Sequence, residues 1–265
     1  MIRKKINKLV SIYKSNGMTE TVKQTLSSVL YRVYKKKYDL FTKGLGKRDN
    51  ASVFSEIYRR NLWKSGESHS GLGSELAYTK NLIKLLPEVF DKFNIKTIID
   101  APCGDFNWMK HVPLKKDMNY IGLDIVQELV VDNQKKYGNN QYRFMTADIS
   151  KDPLPKADIL FCRDCLFHLS NKDIFNVLKN FVESDISWLM TSTHININKF
   201  KNTDINSGDF RLIDLFSEPF ALPLDVDYRV LDFVAPFPER EMCVWNKSQI
   251  HSALEKMSKI ILNYN

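Results

Sequence analysis

Thr97-Ile98-Ile99-Asp100-Ala101-Pro102-Cys103-Gly104-Asp105-Phe106 is the stretch that decides the fold. Three β-branched residues run into an acid, and a small, turn-prone segment then leads towards Trp108-Met109. A buried parallel strand that ends in a tight loop before a helix has this pattern. In open α/β sheets ligands bind just beyond the carboxyl ends of the strands. Asp100 is therefore suited to accept a hydrogen bond from a cationic amino group or a hydroxyl. Gly104 has no Cβ and lets the backbone come close to a ligand.

The rhythm then repeats. Tyr120-Ile121-Gly122-Leu123-Asp124 reads as a second strand ending in an acid, 24 residues after Asp100. Arg143 to Asp148 is a third, another 24 residues on, and Asp158 to Asp164 a fourth. An acid after strand 2 is what a ribose needs, since its two hydroxyls can donate to one carboxylate. Ser187 to His194 reads as strand 5, with Tyr228 to Val234 and Glu241 to Trp245 as a closing antiparallel pair. Helices are expected over about 54–63, 75–90, 171–183 (with Ser170 as N-cap) and 248–262.

This series of strand-end acids resembles the class I S-adenosylmethionine (SAM)-dependent methyltransferases. The resemblance implies an α/β, Rossmann-like seven-stranded sheet with helices on both faces. It also implies that Asp100, Ala101, Pro102, Cys103, Gly104 and Asp105 hold the methionine part of SAM. Asp124 with Ile125 would hold the ribose, and Asp148 with Ile149 the adenine. The family's usual loop reads acid-x-Gly-x-Gly-x-Gly, whereas Pro102 and Phe106 stand here at the first and third glycines. An NAD enzyme would keep more glycines, to pass a pyrophosphate over a helix N-terminus. SAM has no phosphate.

With 43% apolar and 26% charged residues, the 265-residue chain has the composition of a soluble globular protein, one α/β domain plus an additional segment. No apolar run approaches the roughly 18 residues of a membrane span. The basic start lacks the apolar core of a signal peptide, so a cytoplasmic protein is expected. Cys162 and Cys165 form one C-x-x-C with no second pair, so the four cysteines are expected to be ordinary buried thiols, and no metal is expected.

The net charge of +8 is concentrated at one end: residues 1–48 hold 13 Lys or Arg against only Glu20 and Asp39. Val22, Leu26, Val29, Leu30 and Val33 recur at helical spacing, and Ile6, Leu9, Val10 and Tyr13 form a shorter series. The expected organisation is a basic helical arm at 1–50 and a methyltransferase domain at 51–265. Within that domain, 51–94 is a cap or lid region and 95–265 the Rossmann-like core. The arm can pack on the domain, lie peripherally on an anionic membrane surface, or guide an anionic substrate or nucleic acid.

Lys64 to Ser74 is dense in glycines and hydroxyls, which suits an adaptable loop or a lid that closes on a ligand. Ile57-Tyr58, Trp63, Gly66-Glu67-Ser68, Ser70-Gly71 and Gly73-Ser74, followed by Asp100 to Met109 and by Cys162-Arg163-Asp164-Cys165-Leu166 with His168-Leu169, look like one group of bacterial methyltransferases. Members of that group often belong to capsule, O-antigen or other surface-glycan pathways. The resemblance spans roughly residues 52–246. It implies a small-molecule acceptor such as a sugar or glycan precursor, with S-adenosylhomocysteine (SAH) as product. Trp63, Ser70, Gly71 and Arg163 would then join the donor site.

The segment after strand 4 supplies the acceptor-side candidates. His168 can be the general base for an acceptor hydroxyl, because an ordinary imidazole pKa near 6.5 suits that role. Asp164 is the alternative base, or orients His168, and Arg163 can hold an acidic acceptor or pair with Asp164. Trp108, together with His194 and Arg211 from the long polar loop at 196–215, is the expected acceptor-binding set. An anionic acceptor (a phosphate or a phosphoramidate) would need no base. Nucleic-acid methylation is the alternative enzyme, but strand 4 lacks the Asn/Asp-Pro-Pro-aromatic motif of amino-methylating enzymes and no RNA-binding module is visible. No nucleic acid is therefore expected as a partner. A non-catalytic SAM-binding scaffold is the remaining alternative, motivated by the missing glycines.

Overall fold

The computed structural model describes residues 48–262 except 64, 198, 235 and 236, together with Val29, Lys36 and Thr42. The helices expected around Ile6–Tyr13 and Val22–Val33, and with them most of the basic arm, lie outside the described residues. Seven strands form one sheet: β1 (Thr97–Asp100), β2 (Asn119–Asp124), β3 (Tyr142–Thr146), β4 (Ile159–Cys162), β5 (Trp188–His194), β6 (Tyr228–Leu231) and β7 (Arg240–Asn246). Their spatial order is β3-β2-β1-β4-β5-β7-β6. The first five run parallel, and β7 is antiparallel to both β5 and β6. Strand order reverses between β1 and β4, which puts the ligand crevice of such a sheet beyond the carboxyl ends of those strands.

Alternation along the strands sends side chains to two apolar layers. Ile99, Leu123, Leu160, Leu189 and Trp245 pack against α4 (Asn171–Glu183) and α5 (Lys247–Leu262). Ile98, Tyr120, Phe161, Met190 and Val244 face the other way, against α2 (Leu76–Lys92) and α3 (Gln127–Tyr137). Helix α1 (Asn50–Arg59) reaches both layers, through Phe54, and the second also through Tyr58. Its Asn50 donates to Asp173 of α4, its Val53 packs against Gly208, and its Arg59 pairs with Glu128 of α3. The helix thus bridges the carboxyl edge of the sheet.

Element boundaries differ from expectation in two places that matter. β3 ends at Thr146 rather than Asp148: the Ala147 N–H makes the last ladder bond, to the Asp124 carbonyl, and Asp148 opens a turn closed by Lys151 and Asp152. Helix α1 starts at Asn50, four residues before Phe54, since Asp49 accepts from the Ser52 N–H and caps it. It also stops at Arg59, which leaves Trp63 beyond the helix. The Ser170 cap of α4 is present, accepting from the Asp173 N–H at 3.1 Å. No helix among the described residues is long and apolar enough to cross a membrane.

Candidate active site

Two buried carboxylates end adjacent strands. Asp100 is 3% exposed, and its Oδ2 accepts from the Tyr120 hydroxyl at 2.6 Å. Asp124 is 7% exposed, and its oxygens accept from the Gly104 and Val126 N–H groups at 3.1 and 3.0 Å. Burial pushes Asp100 up to about 7, and burial likewise pushes Asp124 up to about 6 against the pull of its backbone donors. Among the described residues no basic side chain forms an ion pair with either. The crevice therefore holds two buried carboxyls with no ion-pair partner among the described residues, and a buried carboxylate calls for a partner.

The loop between them is held from below. Gly104 has φ +54°, and its carbonyl accepts from Asn133 of α3 at 2.7 Å. Phe106, at the third glycine position, also has positive φ, +57°. A left-handed conformation costs an ordinary residue about 1–2 kcal/mol. Here the ring is buried among Tyr120, Tyr137, Tyr142 and Phe144, with centroids 4.9–5.7 Å away. Burial of that ring offsets the backbone strain, so the glycine is dispensable.

Residues 65–75 lie directly on this loop. The Ser70 hydroxyl accepts from the Asp105 N–H at 2.8 Å, and a Cβ on Gly104 would meet that same oxygen at 2.3 Å. Asp105 accepts from the Ser68 hydroxyl and from the His69 N–H, both at 2.9 Å. Asn107 donates to Glu67 and to the Ser74 carbonyl. Asp105, expected in the donor site, thus fastens residues 65–75 to this loop. Gly71 adopts φ +97° and packs on Trp63.

A four-residue ion network seals the far side. Arg163 holds Asp232 through Nε and Nη2 and donates from Nη1 to the Gly73 carbonyl at 2.8 Å. Arg240 binds the Asp232 carboxylate at 3.0 Å and Asp164 at 2.8 Å. The rings of Tyr78 and Trp108 lie over the guanidinium of Arg163, 5.8 and 5.3 Å from it. Arg163, expected to contact a ligand or to pair with Asp164, is bonded inside the protein to Asp232, to the Gly73 carbonyl and to Asp164. Asp164, with φ +54°, is an ion-paired carboxylate rather than a free base.

His168 is 9% exposed in a short helical turn, Leu166–His168, and its Nδ1–H donates to the Asp209 carbonyl at 2.9 Å. Burial lowers it to about 4. The imidazole is a far weaker base than its ordinary pKa suggests, which corrects the expectation built on 6.5. His194 is buried, its Nδ1 accepts from the Ile213 N–H at 3.2 Å, and burial lowers it to about 3. Arg211 is 2% exposed and donates to the Leu169 carbonyl and to Asn171. Trp108 is packed against Phe161 and Arg163. His194 and Arg211 bond to neighbouring loops and Trp108 packs in the core, while Nε of Arg211 has no partner among the described residues. The 196–215 loop is fixed to the sheet edge, with the Leu215 N–H on Thr193 and the Gly208 N–H on the His168 carbonyl.

Ile125 is half-buried and Ile149 buried beyond β2 and β3. Asp148 accepts from the Ser150 N–H and hydroxyl and pairs with Lys151 at 3.0 Å. Cys162 and Cys165 are buried and free, and hydrogen bonding with Cys162, followed by burial, pushes the Cys165 thiol up. The partly exposed rings of Trp63 and Phe210 lie 5.8 and 5.5 Å from the imidazole of His168, bringing the cap, the β4 turn and the 196–215 loop together. Phe210, Tyr120, Tyr78, Asn133, Asp232 and Arg240 carry the site without having stood out in the sequence. Only the conjunction of lone acids and arginines in otherwise apolar strands hinted at the last two.

The sheet order, its single antiparallel strand and the flanking helices define the fold of the class I SAM-dependent methyltransferases. Solved structures with this fold include magnesium protoporphyrin IX methyltransferase from Synechocystis PCC 6803 with bound SAH, at 13% identity and TM-score 0.51, covering 75% of this chain and 99% of that one. Human N-acetylserotonin methyltransferase in complex with SAM is similar at 13% identity and TM-score 0.51, over 72% of this chain and 58% of that one. The methyltransferase domain of a bacterial Hen1, CtHen1-C, matches at 13% identity and TM-score 0.50, over 64% and 98%. No family model and no curated protein matches the sequence.

Proposed function

We propose that this chain is a SAM-dependent methyltransferase that methylates an oxygen of a small-molecule acceptor, a sugar or another precursor of a bacterial surface glycan. The observation that carries the donor half is Asp124. Its carboxylate stands at the end of β2 with each oxygen fixed by one backbone N–H, and a carboxylate oxygen can accept further bonds. Two ribose hydroxyls suit it. Two buried carboxyls, Asp100 and Asp124, without an ion-pair partner among the described residues suit a cationic cofactor, and Gly104 gives the backbone its close approach. These residues fit SAM.

SAM would supply a methyl carbon already activated by its sulfonium. The chain's own part is then to align donor and acceptor and keep water out, and proximity alone carries much of such a rate. The cap fastened by Ser68, Ser70 and Asp105 serves that exclusion. A base would add about 10²–10⁴-fold, yet burial makes His168 a weak base and Asp164 is ion-paired. This favours an acceptor that needs little help in losing a proton, such as a phosphate or phosphoramidate oxygen on a sugar. The rings of Trp63 and Phe210 beside His168 offer an apolar face for a sugar's C–H surface.

The deciding experiment is calorimetric binding of SAM and SAH to the wild type and to Asp124→Ala. Micromolar binding that weakens tenfold or more in the variant, about 1.4 kcal/mol, supports the proposal. Absence of binding to the wild type refutes it.

A further inference from the structure

Tyr120 is wholly buried in β2, where Ile98 lies opposite it and Asp100 lies opposite Gly122 two residues on. Its ring is wedged by Phe106, Tyr142 and Phe144, with centroids 4.9, 5.7 and 5.7 Å away. The hydroxyl therefore has one direction open to it, and it donates to Oδ2 of Asp100 at 2.6 Å. The other carboxylate oxygen takes no hydrogen bond from any described residue. A side chain 97% buried, with one oxygen fixed by a tyrosine and the other unpartnered, is built to meet a donor from outside the chain.

We infer that Tyr120 is a positioning residue of the donor site: it fixes Asp100 as the acceptor for a cationic amino-acid headgroup, so that capture of that headgroup displaces a proton from Asp100. This rests on the SAM reading and adds to it a residue and a proton.

A hydroxyl that donates to a carboxylate favours its charged form, whereas burial and a nearby acid favour the neutral one. Around Asp100 the titratable and charged groups are Tyr120 and Asp124 from β2, Arg163 from the end of β4 and Cys103 of the following loop. Arg163 is already neutralised by Asp232 and Asp164. Without a ligand the balance falls towards the protonated carboxyl near neutral pH. An ammonium arriving at the unpartnered oxygen supplies the missing charge. The carboxyl O–H breaks, its proton passes to solvent, and an N–H to O bond takes its place. Tyr120 keeps its own bond throughout, which holds the carboxylate in one orientation for the ligand.

Three ligands separate this role from a merely structural one. SAM and SAH both carry the ammonium, and 5′-methylthioadenosine keeps the adenosine but lacks the amino-acid part. We would measure binding of each by calorimetry near pH 6.5, in phosphate and in imidazole buffer, for the wild type and Tyr120→Phe. SAM and SAH are expected to weaken about tenfold in the variant, the scale of a lost hydrogen bond to a charged group. The binding of 5′-methylthioadenosine should change less than twofold. Wild-type SAM binding should show a buffer-dependent enthalpy reporting proton release, and 5′-methylthioadenosine should not. The pH at which SAM affinity reaches half its maximum should rise in Tyr120→Phe. Asp100→Asn is the second variant should Tyr120→Phe not fold, with the same ligand pattern expected. Equal losses for all three ligands, unchanged SAM affinity, or a buffer-independent enthalpy would overturn the inference while leaving the SAM reading intact. A wild type that does not bind SAM removes both.

Discussion

Arg163 grips Asp232 through two parallel hydrogen bonds, Nε to Oδ2 at 2.8 Å and Nη2 to Oδ1 at 3.0 Å, between side chains 69 residues apart in the chain and sealed from water. Arg240 joins the same carboxylate from β7. The pair thereby ties the end of β4 to the connection between β6 and β7, and through Gly73 to the cap. Burial alone raises the Asp232 carboxyl, and the two guanidinium groups overcome it, leaving it below its usual value. Removing one partner of such a buried pair costs about 3–5 kcal/mol, because the remaining charge has no solvent to turn to. Asp232→Asn should therefore lower the melting temperature by roughly 6 °C or more, at about 2–4 °C per kcal/mol for a domain near this size. A thermal scan that finds less than 2 °C would show the network to be dispensable.

The two buried histidines lead to a prediction with a definite sign. Both are lowered by burial, His168 to about 4 and His194 to about 3. A group whose folded pKa lies below its unfolded value contributes stability present above the unfolded pKa, near 6.5, and loses it as pH falls towards the folded value. Asp100 and Asp124, raised to about 7 and about 6, act oppositely: their contribution is full below the unfolded pKa near 3.8 and is lost as pH rises through 6 to 7. The two trends oppose each other between pH 4 and 6.5, so a global stability curve blurs them. Site-resolved nitrogen NMR does not. His168 should appear as the Nδ1–H tautomer and His194 as the Nε2–H tautomer, and neither should titrate between pH 8 and 5. A midpoint near 6.5 for His168 would restore it as a general base.

Phe106 tests how the chain does without the common glycines. Its φ of +57° suggests that glycine would be an improvement. The four surrounding aromatic rings argue the reverse. Truncating a buried Phe costs about 3–5 kcal/mol, while relief of the left-handed conformation returns about 1–2 kcal/mol. Phe106→Gly should thus destabilise by a net of roughly 1–4 kcal/mol, measured by urea unfolding. Equal or greater stability would mean that the cage is not what holds the loop.

Much of this architecture was legible because it is local and periodic. Asp100 and Asp124 each close a run of apolar β residues, and both stand where strand periodicity puts them, at the carboxyl edge. Asp148 followed the same rhythm, and the turn it opens removed it from the strand itself. What could not be read was burial at a distance. Arg211 in the polar loop and His194 at the end of β5 look like ligand-binding residues, yet they bond to Leu169 and Ile213 because that loop folds back onto β5. Arg163 has an acid beside it in sequence, but its better partner is Asp232, which no spacing rule connects to it. His168 was found for its residue type. Its basicity is lowered by burial under distant parts of the chain, and the Asp209 carbonyl, 41 residues on, offsets that only in part.

The cap offers a comparison between two glycines of one loop. A Cβ at Gly73 would lie 2.5 Å from Oδ2 of Asp164. That carboxylate cannot simply swing aside, since Arg240 and Arg163 hold it. At Gly66 a Cβ would meet nothing within 4 Å. Both substitutions reduce the freedom of the unfolded chain alike, which by itself stabilises by about 0.4–1 kcal/mol where the native backbone accepts a side chain. Their difference therefore isolates the fit of the cap against the β4 turn. Gly73→Ala should loosen the cap, raising the rate of protease cleavage within residues 64–74 several-fold and weakening SAH binding. Gly66→Ala should match the wild type in both. If the two variants are cleaved equally, the cap is not held through Gly73. If Gly73→Ala is cleaved faster but binds SAH as the wild type does, closure of this segment plays no part in holding the donor.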